Sequence, residues 1–437
     1  MNLKIVILAA GQGTRMKSKI PKVLHKVLDK PMLDHVMEAA QVVTNHKPIV
    51  VIGHMSDMVR EHLGDKAEIA LQEEQLGTGH AVMMAEHYID DEDEVLILCG
   101  DTPLIKGETL KEMTKIKSEG YAAVVMSAVE DDPTGYGRII RDESNDFMRI
   151  REQKDASEEE KAIKEINAGM YIINGKLLKE NLSKLSVNNA QREYYLTDVL
   201  EHIKNAGHRI GVYQADKMEI MGVNSRLQLS EAERIMRLDV NKMHMANGVT
   251  LIDTNSTYID KNVKIGRDTI IYPNCHIKGN SVIGEDCIIR ENTTIEDSHI
   301  EDHVTIKSST ILSSKVGART TIGPYAYLRP KSVLGEDVKI GDFVEVKNAE
   351  IGNGSKASHL SYIGDAVVGK NVNIGCGVVF VNYDGKNKFK SIVEDNAFIG
   401  SNSNLVAPVT VKEGGYIATG STVTVDVPEG ALCVARA

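Results

Sequence analysis

The sequence has no tryptophan and only five phenylalanines among 437 residues, so its cores must be built mainly from aliphatic side chains. Its five cysteines (Cys99, Cys275, Cys287, Cys376, Cys433) are odd in number, scattered and without a Cys-x-x-Cys pair. That argues against a disulfide frame or structural zinc and for a reducing compartment. No run approaches the roughly 18 apolar residues of a spanning helix, and the apolar run after Met1 is too short for a signal peptide. A cytoplasmic protein with no membrane partner is expected. Positive charge is also in deficit: 51 Lys and Arg against 62 Asp and Glu leave a formal charge of -11. This balance disfavours non-specific nucleic-acid binding, so no nucleic-acid partner is expected, and an anionic substrate must be met by a few locally placed basic residues. With 42% hydrophobic and 26% charged residues, disorder and collagen-like structure are ruled out. The length points to two or three domains.

Two periods divide the chain. Up to about residue 225, apolar runs at Ile5–Ala10, Ile49–Ile52, Val95–Leu98 and Ala122–Met126 alternate with amphipathic stretches such as Met32–Val43 and Leu104–Ser118. This order predicts a largely parallel sheet covered by helices, with ligands at the carboxyl ends of its strands. From Ser225 to about Met245 a polar-rich helix is expected, with Ser230–Glu233 as a candidate capping box. From Ile259 onward aliphatic residues recur every five or six positions, as at Ile265, Ile271, Ile277 and Ile283, as far as Val423. Six is neither a helical nor a heptad period. It predicts a triangular coil in which three hexads close one turn, a parallel β-helix. The segment Val381–Ile392 interrupts the hexads and should loop out of the prism, as a functional excursion or a tolerated insertion.

Three local patterns carry candidate chemistry. Leu8-Ala-Ala-Gly-Gln-Gly-Thr-Arg-Met16 follows the first strand, where glycines and a helix start suit phosphate, with Arg15 and Lys22 adding charge. A Rossmann turn would need a third glycine, and a plain tight turn stays open. Asp101 follows the strand Val95–Leu98, as a Mg²⁺ ligand or a turn residue. His359 suits a general base, although a histidine in a repeat is more often an exposed or hydrogen-bonded surface residue. His299 and His303, at i, i+4 on strands, do not share the face they would on a helix.

The Leu8–Met16 stretch with Pro21-Lys-Val-Leu24 resembles sugar-1-phosphate nucleotidyltransferases. Further stretches extend the likeness: Gln72–His80, Thr134–Arg138, Ile166–Gly169, Glu193–Asp198, Gly222–Ser225 and the hexad half. Together they are similar, over essentially the whole chain, to the family of bifunctional bacterial N-acetylglucosamine-1-phosphate uridyltransferases and glucosamine-1-phosphate acetyltransferases. The resemblance implies a Rossmann-like nucleotidyltransferase domain at 1–226, a linker helix at 227–247 and a left-handed hexapeptide-repeat β-helix at 248–437. It implies Mg²⁺ on Asp101 and Asn224, with UTP and acetyl-CoA as co-substrates. Leu8, Ala9, Ala10, Gly11, Gly13, Gln72, Gly77 and Thr78 would meet the uridine nucleotide and Arg15 and Lys22 its triphosphate. Gly137, Glu152 and Asn167 would meet the N-acetylglucosamine unit.

In the second half the resemblance makes His359 the proton acceptor. Arg329, Lys347, Tyr362 and Asn373 would hold glucosamine-1-phosphate, and Cys376, Asn382, Tyr383, Ser401, Thr419 and Arg436 would surround acetyl-CoA. It further implies a homotrimer with this site between subunits. Cys376 and Thr419 stand where the family commonly has alanine, and Cys99 also departs from it. The sequence ends one residue after Arg436, from which weaker acetyl-CoA binding is expected. Two rival readings remain: a nucleotidyltransferase with a purely structural β-helix, and a non-catalytic trimeric scaffold that binds sugar nucleotide.

Overall fold

The computed structural model describes residues 2–435. They form two compact units, Met1–Met236 and Arg237–Ala437, divided within the helix Arg226–Ala246.

In the first unit the central strand Asn2–Ala9 pairs in parallel with Ile49–Ile52 on one side and Asp93–Cys99 on the other. The sheet continues outward through Glu68–Leu71 at one edge and through Glu165–Asn174, Ala123–Val129 and Ile210–Gln214 at the other. Strands covered on both faces read as unbroken apolar runs, and Ile49–Ile52 is buried at every position. Alternate side chains serve different cores: Ile5 and Ile7 pack with Leu33, Val36, Leu110 and Met113 on one face. Val6 packs with Val82, Leu178, Val199 and Leu200 on the other. One feature departs from the parallel expectation. Glu165–Asn174 runs antiparallel to both its neighbours, and an apolar run carries no mark of its direction. Chain order reverses between Asn2–Ala9 and Asp93–Cys99, so the crevice beyond their carboxyl ends is the switch point where such sheets bind ligands.

The helix Arg226–Ala246 matches the expected span from Ser225 to about Met245, but Ser230–Glu233 lies inside it and is not its capping box. The start signal is Ser225, whose Oγ accepts a hydrogen bond from the Gln228 amide at 3.3 Å. Gln228 Oε1 in turn accepts from the Asn224 amide at 2.9 Å. Glu233 accepts from the Leu28 amide instead, at 2.6 Å.

The second unit is a left-handed β-helix with three ladders of short parallel strands. One runs through Ile259, Ile277, Ile295, Ile311, Leu328, Val346 and Ile363, each pairing with the residue three hexads on. Nearly all the aliphatic series is buried; Ile265, near one end, is half-buried. Ala357 and Phe380 fill the two places where the series breaks, one too small and the other aromatic, and both are buried. Corners fall two or three residues after most of the buried positions and use the left-handed backbone, supplied mostly by Asn, Asp, Ser or Gly. Phe380 has no exposure. Phe380→Ala should lower the stability of this unit by about 3–5 kcal/mol in denaturant titration; a loss under about 1 kcal/mol would contradict its role in the core.

Candidate functional sites

At the switch point of the first unit the chain leaves strand Asn2–Ala9 through Ala10–Gly13 into a short turn, Thr14–Met16. Gly13 has φ 60°, and a Cβ there would lie 2.7 Å from the Lys22 Cβ. Glycine thus lets the Lys22 stem pack against the loop and aims its ammonium inward. Lys22 Nζ donates to Asp101 Oδ2 at 2.5 Å and to Asn224 Oδ1 at 2.8 Å. Three segments far apart in sequence therefore converge on one positive charge, while Arg15 is exposed on the turn. The oxygens of Asp101 and Asn224 are hard donors already gathered around a cation, which fits a small divalent ion. Among the described residues no cluster of three or more His, Cys, Asp or Glu could hold a metal. A site here would depend on substrate oxygens or water for its remaining ligands. Beside Asp101, burial pushes the Cys99 thiol up to about 12, with the Asp101 charge adding and the Lys22 charge opposing. The Sγ donates to the Gly169 carbonyl at 3.4 Å.

Two sequence stretches singled out separately prove to be one unit of structure. The Gly79 amide donates to the Tyr194 carbonyl and the Tyr194 amide to the Leu76 carbonyl, both at 2.8 Å. The Leu196 amide donates to Thr78 Oγ1 at 3.2 Å. Gly77 has φ 115°, and a Cβ would sit 2.6 Å from the Tyr194 carbonyl oxygen, so only glycine permits this approach. Buried Gln72 donates to the Gly77 carbonyl at 3.1 Å. The Asn167 amide donates to the Gly137 carbonyl at 2.8 Å, and the Asn167 side-chain amide donates to the Tyr171 hydroxyl at 2.7 Å.

Glu152 Oε1 accepts from the Thr197 hydroxyl at 3.3 Å. Burial raises the Glu152 carboxyl; the Thr197 bond partly offsets this, and Asp198, Asp155 and Glu193 add to the rise. A group raised in the folded state takes up protons above the ordinary glutamate range of about 4.3, so its contribution to stability is lost as pH rises through the raised value. Glu152→Gln should therefore raise the melting temperature at pH 7, with the gain shrinking as pH falls toward the ordinary range. A lower melting temperature at pH 7 would contradict the burial cost.

In the second unit one face gathers four of the predicted residues with one that was not predicted. Asp342, His359, Cys376, Ser401 and Thr419 each stand two positions beyond a buried residue of one ladder: Ile340, Ala357, Ile374, Ile399 and Ile417. They form a column on consecutive coils, spaced about 4.8 Å apart. His359 Nδ1 lies 2.8 Å from Asp342 Oδ1. Asp342 escaped the sequence reading; the only signal was its spacing of one coil before His359. The register also sets Cys376 one coil beyond His359, a neighbour that sequence alone did not provide.

A second group surrounds Asp365. Lys347 Nζ lies 3.4 Å from its Oδ2, the Asn348 side-chain amide donates to Oδ1 at 2.6 Å, and the Asn382 side-chain amide donates to Oδ2. Asn382 reaches the Tyr362 hydroxyl at 3.4 Å, and Arg329 pairs with Glu345 at 2.8 Å. The segment Val381–Ile392 does leave the prism, as a small hairpin closed by a bridge between Tyr383 and Lys388. Asp384 Oδ1 caps its tip, accepting from the Asn387 amide at 2.6 Å. The hairpin brings Lys388 against Lys347, and the hydrogen bond with Lys347, followed by its like charge, holds the Lys388 ammonium below its usual range. A cavity of about 240 Å³ beside it is lined in part by Lys331, Lys388 and Lys390. Lys388 too was missed, because nothing in the sequence shows where an excursion folds back. Asn373 pairs in register with Lys356 one coil earlier, and Tyr383 is exposed on the hairpin. Arg436 lies outside the described residues.

A nucleotide-type switch-point crevice and a hexad β-helix carrying a histidine–carboxylate pair define a two-part transferase. The nucleotidyl transferase family profile matches residues 4–219, and that of the EIF2B subunit epsilon LbH domain matches 241–346. A bifunctional protein GlmU of Clostridioides difficile is 61% identical over all of this chain and 95% of its own length. Those of Alkaliphilus oremlandii and Caldanaerobacter subterraneus are 60% and 56% identical, over 100% and 99% of this chain and 96% and 94% of theirs. The chain belongs to the bifunctional GlmU family, and is an enzyme with uridyltransferase and acetyltransferase activities. Among the described residues no helix is long and apolar enough to cross a membrane.

Proposed function

We propose that the chain acetylates glucosamine-1-phosphate with acetyl-CoA in the second unit and then transfers uridylate from UTP to N-acetylglucosamine-1-phosphate in the first. The observation that supports this most is the presence of two self-contained constellations, Lys22–Asp101–Asn224 and Asp342–His359, one in each unit.

In uridyl transfer a phosphate oxygen of the sugar attacks the α-phosphorus of UTP and pyrophosphate leaves. The nucleophile is already anionic, so the chain supplies alignment and charge rather than a base. The Ala10–Gly13 backbone, Gln72, Gly77 and Thr78 hold the nucleotide, Arg15 and Lys22 neutralise its phosphates, and Gly137, Glu152 and Asn167 orient the sugar. Asp101 and Asn224 would hold Mg²⁺. When bound, the ion neutralises charge on the phosphoryl oxygens.

In acetyl transfer the sugar nitrogen attacks the thioester carbon. The C–N bond forms and the C–S bond breaks, and His359 takes the nitrogen's proton and passes it to the departing thiolate. Arg329, Lys347 and Lys388 offer charge for the sugar phosphate, with Tyr362 and Asn373 beside the ring. The column Cys376, Ser401, Thr419 suits an extended thioester arm leading to His359, with Asn382 and Tyr383 on the hairpin.

The column lies next to an apolar corner, where Tyr325, Phe343 and Leu360 hold left-handed backbone and are 62%, 58% and 59% exposed. Most other corners use Asn, Asp, Ser or Gly, so three large apolar side chains here favour burial by a second copy of the chain, as in a homotrimer sharing the acetyl site. Phe343→Asn with Leu360→Asn should leave the β-helix folded, give monomers in sedimentation and lower acetyl transfer at least about tenfold with uridyl transfer unchanged. Monomers that acetylate at the full rate would contradict a shared site. Cytoplasmic residence goes with these small-molecule substrates. The reading as a whole is tested by product analysis with glucosamine-1-phosphate, acetyl-CoA, UTP and Mg²⁺, each omitted in turn. UDP-N-acetylglucosamine should need all four, and N-acetylglucosamine-1-phosphate should accumulate when UTP alone is absent.

A further inference from the structure

The nitrogen of His359 that faces Asp342 is Nδ1. An ionised carboxylate only accepts hydrogen bonds, so Nδ1 carries a proton, and in the neutral ring the lone pair is then on Nε2. The hydrogen bond from His359 is the main influence holding the Asp342 carboxyl below the usual carboxylate range, which keeps it ionised at neutral pH. The His359 side chain is 62% exposed, so the ring is open to substrate.

The pairing is built into the fold. Asp342 and His359 are register partners on the parallel strands Lys339–Lys347 and Lys356–Gly364. Gly341, just before Asp342, allows the strands to approach there: a Cβ on it would fall 1.8 Å from the Ser358 carbonyl oxygen. The other carboxylate on that strand, Glu345, is engaged by Arg329 at 2.8 Å. Two short side chains fixed on adjacent rungs lose little freedom on pairing, unlike a pair of long surface side chains.

We propose that Asp342 is a positioning residue for acetyl transfer. Its carboxylate fixes His359 in the Nδ1–H tautomer and sets the ring so that Nε2 receives the proton from the sugar nitrogen. An imidazole without this partner divides between two tautomers and rotates, and only part of the population presents a lone pair to the substrate. The inference rests on the reading of His359 as the base.

Three variants separate the two ideas, with the circular-dichroism spectrum and thermal unfolding of the full chain as the control for folding. Asp342→Ala should lower the kcat of acetyl transfer about ten- to a hundredfold while the KM for glucosamine-1-phosphate stays within about twofold. Asp342→Asn, which keeps an acceptor oxygen, should recover part of that loss. In ¹⁵N spectra of the full chain, the histidine signal missing from His359→Ala identifies His359. That signal should report Nδ1–H in the parent chain and a mixture of tautomers in Asp342→Ala. An unchanged kcat, a change confined to KM, or an unchanged tautomer in Asp342→Ala would overturn the role of Asp342. Full acetyl transfer by His359→Ala would instead overturn the base itself.

Discussion

Replacing His359 with alanine is expected to lower acetyl transfer by about 10²–10⁴-fold, the usual worth of a positioned general base, and to leave uridyl transfer at the parent rate. The effect is large because the amine must lose a proton as the C–N bond forms, and water is a poor and randomly placed substitute. It is confined because His359 sits on the β-helix column in the second unit, and no uridyl-transfer role is proposed for that column. Separate assays of N-acetylglucosamine-1-phosphate and of pyrophosphate release check it. Loss of both activities in a folded protein would contradict independent sites.

Asp101→Ala should have the opposite pattern, lowering uridyl transfer about a thousandfold, the equivalent of several kcal/mol of charge stabilisation, while acetyl transfer persists. Asp101 is the carboxylate of the constellation, and its side chain is only 17% exposed. Its loss leaves the Lys22 ammonium with the neutral oxygen of Asn224 and removes the negative charge that a divalent ion needs. A chelator should act on the parent chain in the same direction, silencing uridyl transfer alone. Full uridyl activity in Asp101→Ala would remove Asp101 from the site.

What could be read in the sequence follows from how each feature is encoded. The β-helix was legible because each strand must contribute one buried aliphatic residue at nearly constant spacing, so its core is written along the chain. Its two hidden positions, Ala357 and Phe380, broke the pattern only by size and type. The switch-point crevice was legible because the glycine turn and Asp101 each directly follow an apolar run. The antiparallel course of Glu165–Asn174 was not, since burial on both faces erases any sign of direction. The hydrogen bonds that bind Leu76–Gly79 to Tyr194–Leu196 were equally invisible, being made mostly by main-chain atoms. Asp342 and Lys388 were hidden for a third reason. An acidic residue on an exposed rung, or a lysine on a hairpin, looks like ordinary surface until the coil spacing or the fold-back places it beside His359 or Lys347.

The central claim is that two transferases, each complete without the other, act in sequence on one sugar phosphate. It is tested most directly by mixing His359→Ala with Asp101→Ala in the presence of glucosamine-1-phosphate, acetyl-CoA, UTP and Mg²⁺. Neither variant alone should form UDP-N-acetylglucosamine at more than a trace. The mixture should form it steadily, because the acetylated intermediate made by Asp101→Ala is taken up by His359→Ala. A mixture that stays inactive although each variant keeps its own half-reaction, or a single variant that completes the conversion at the parent rate, would contradict the account.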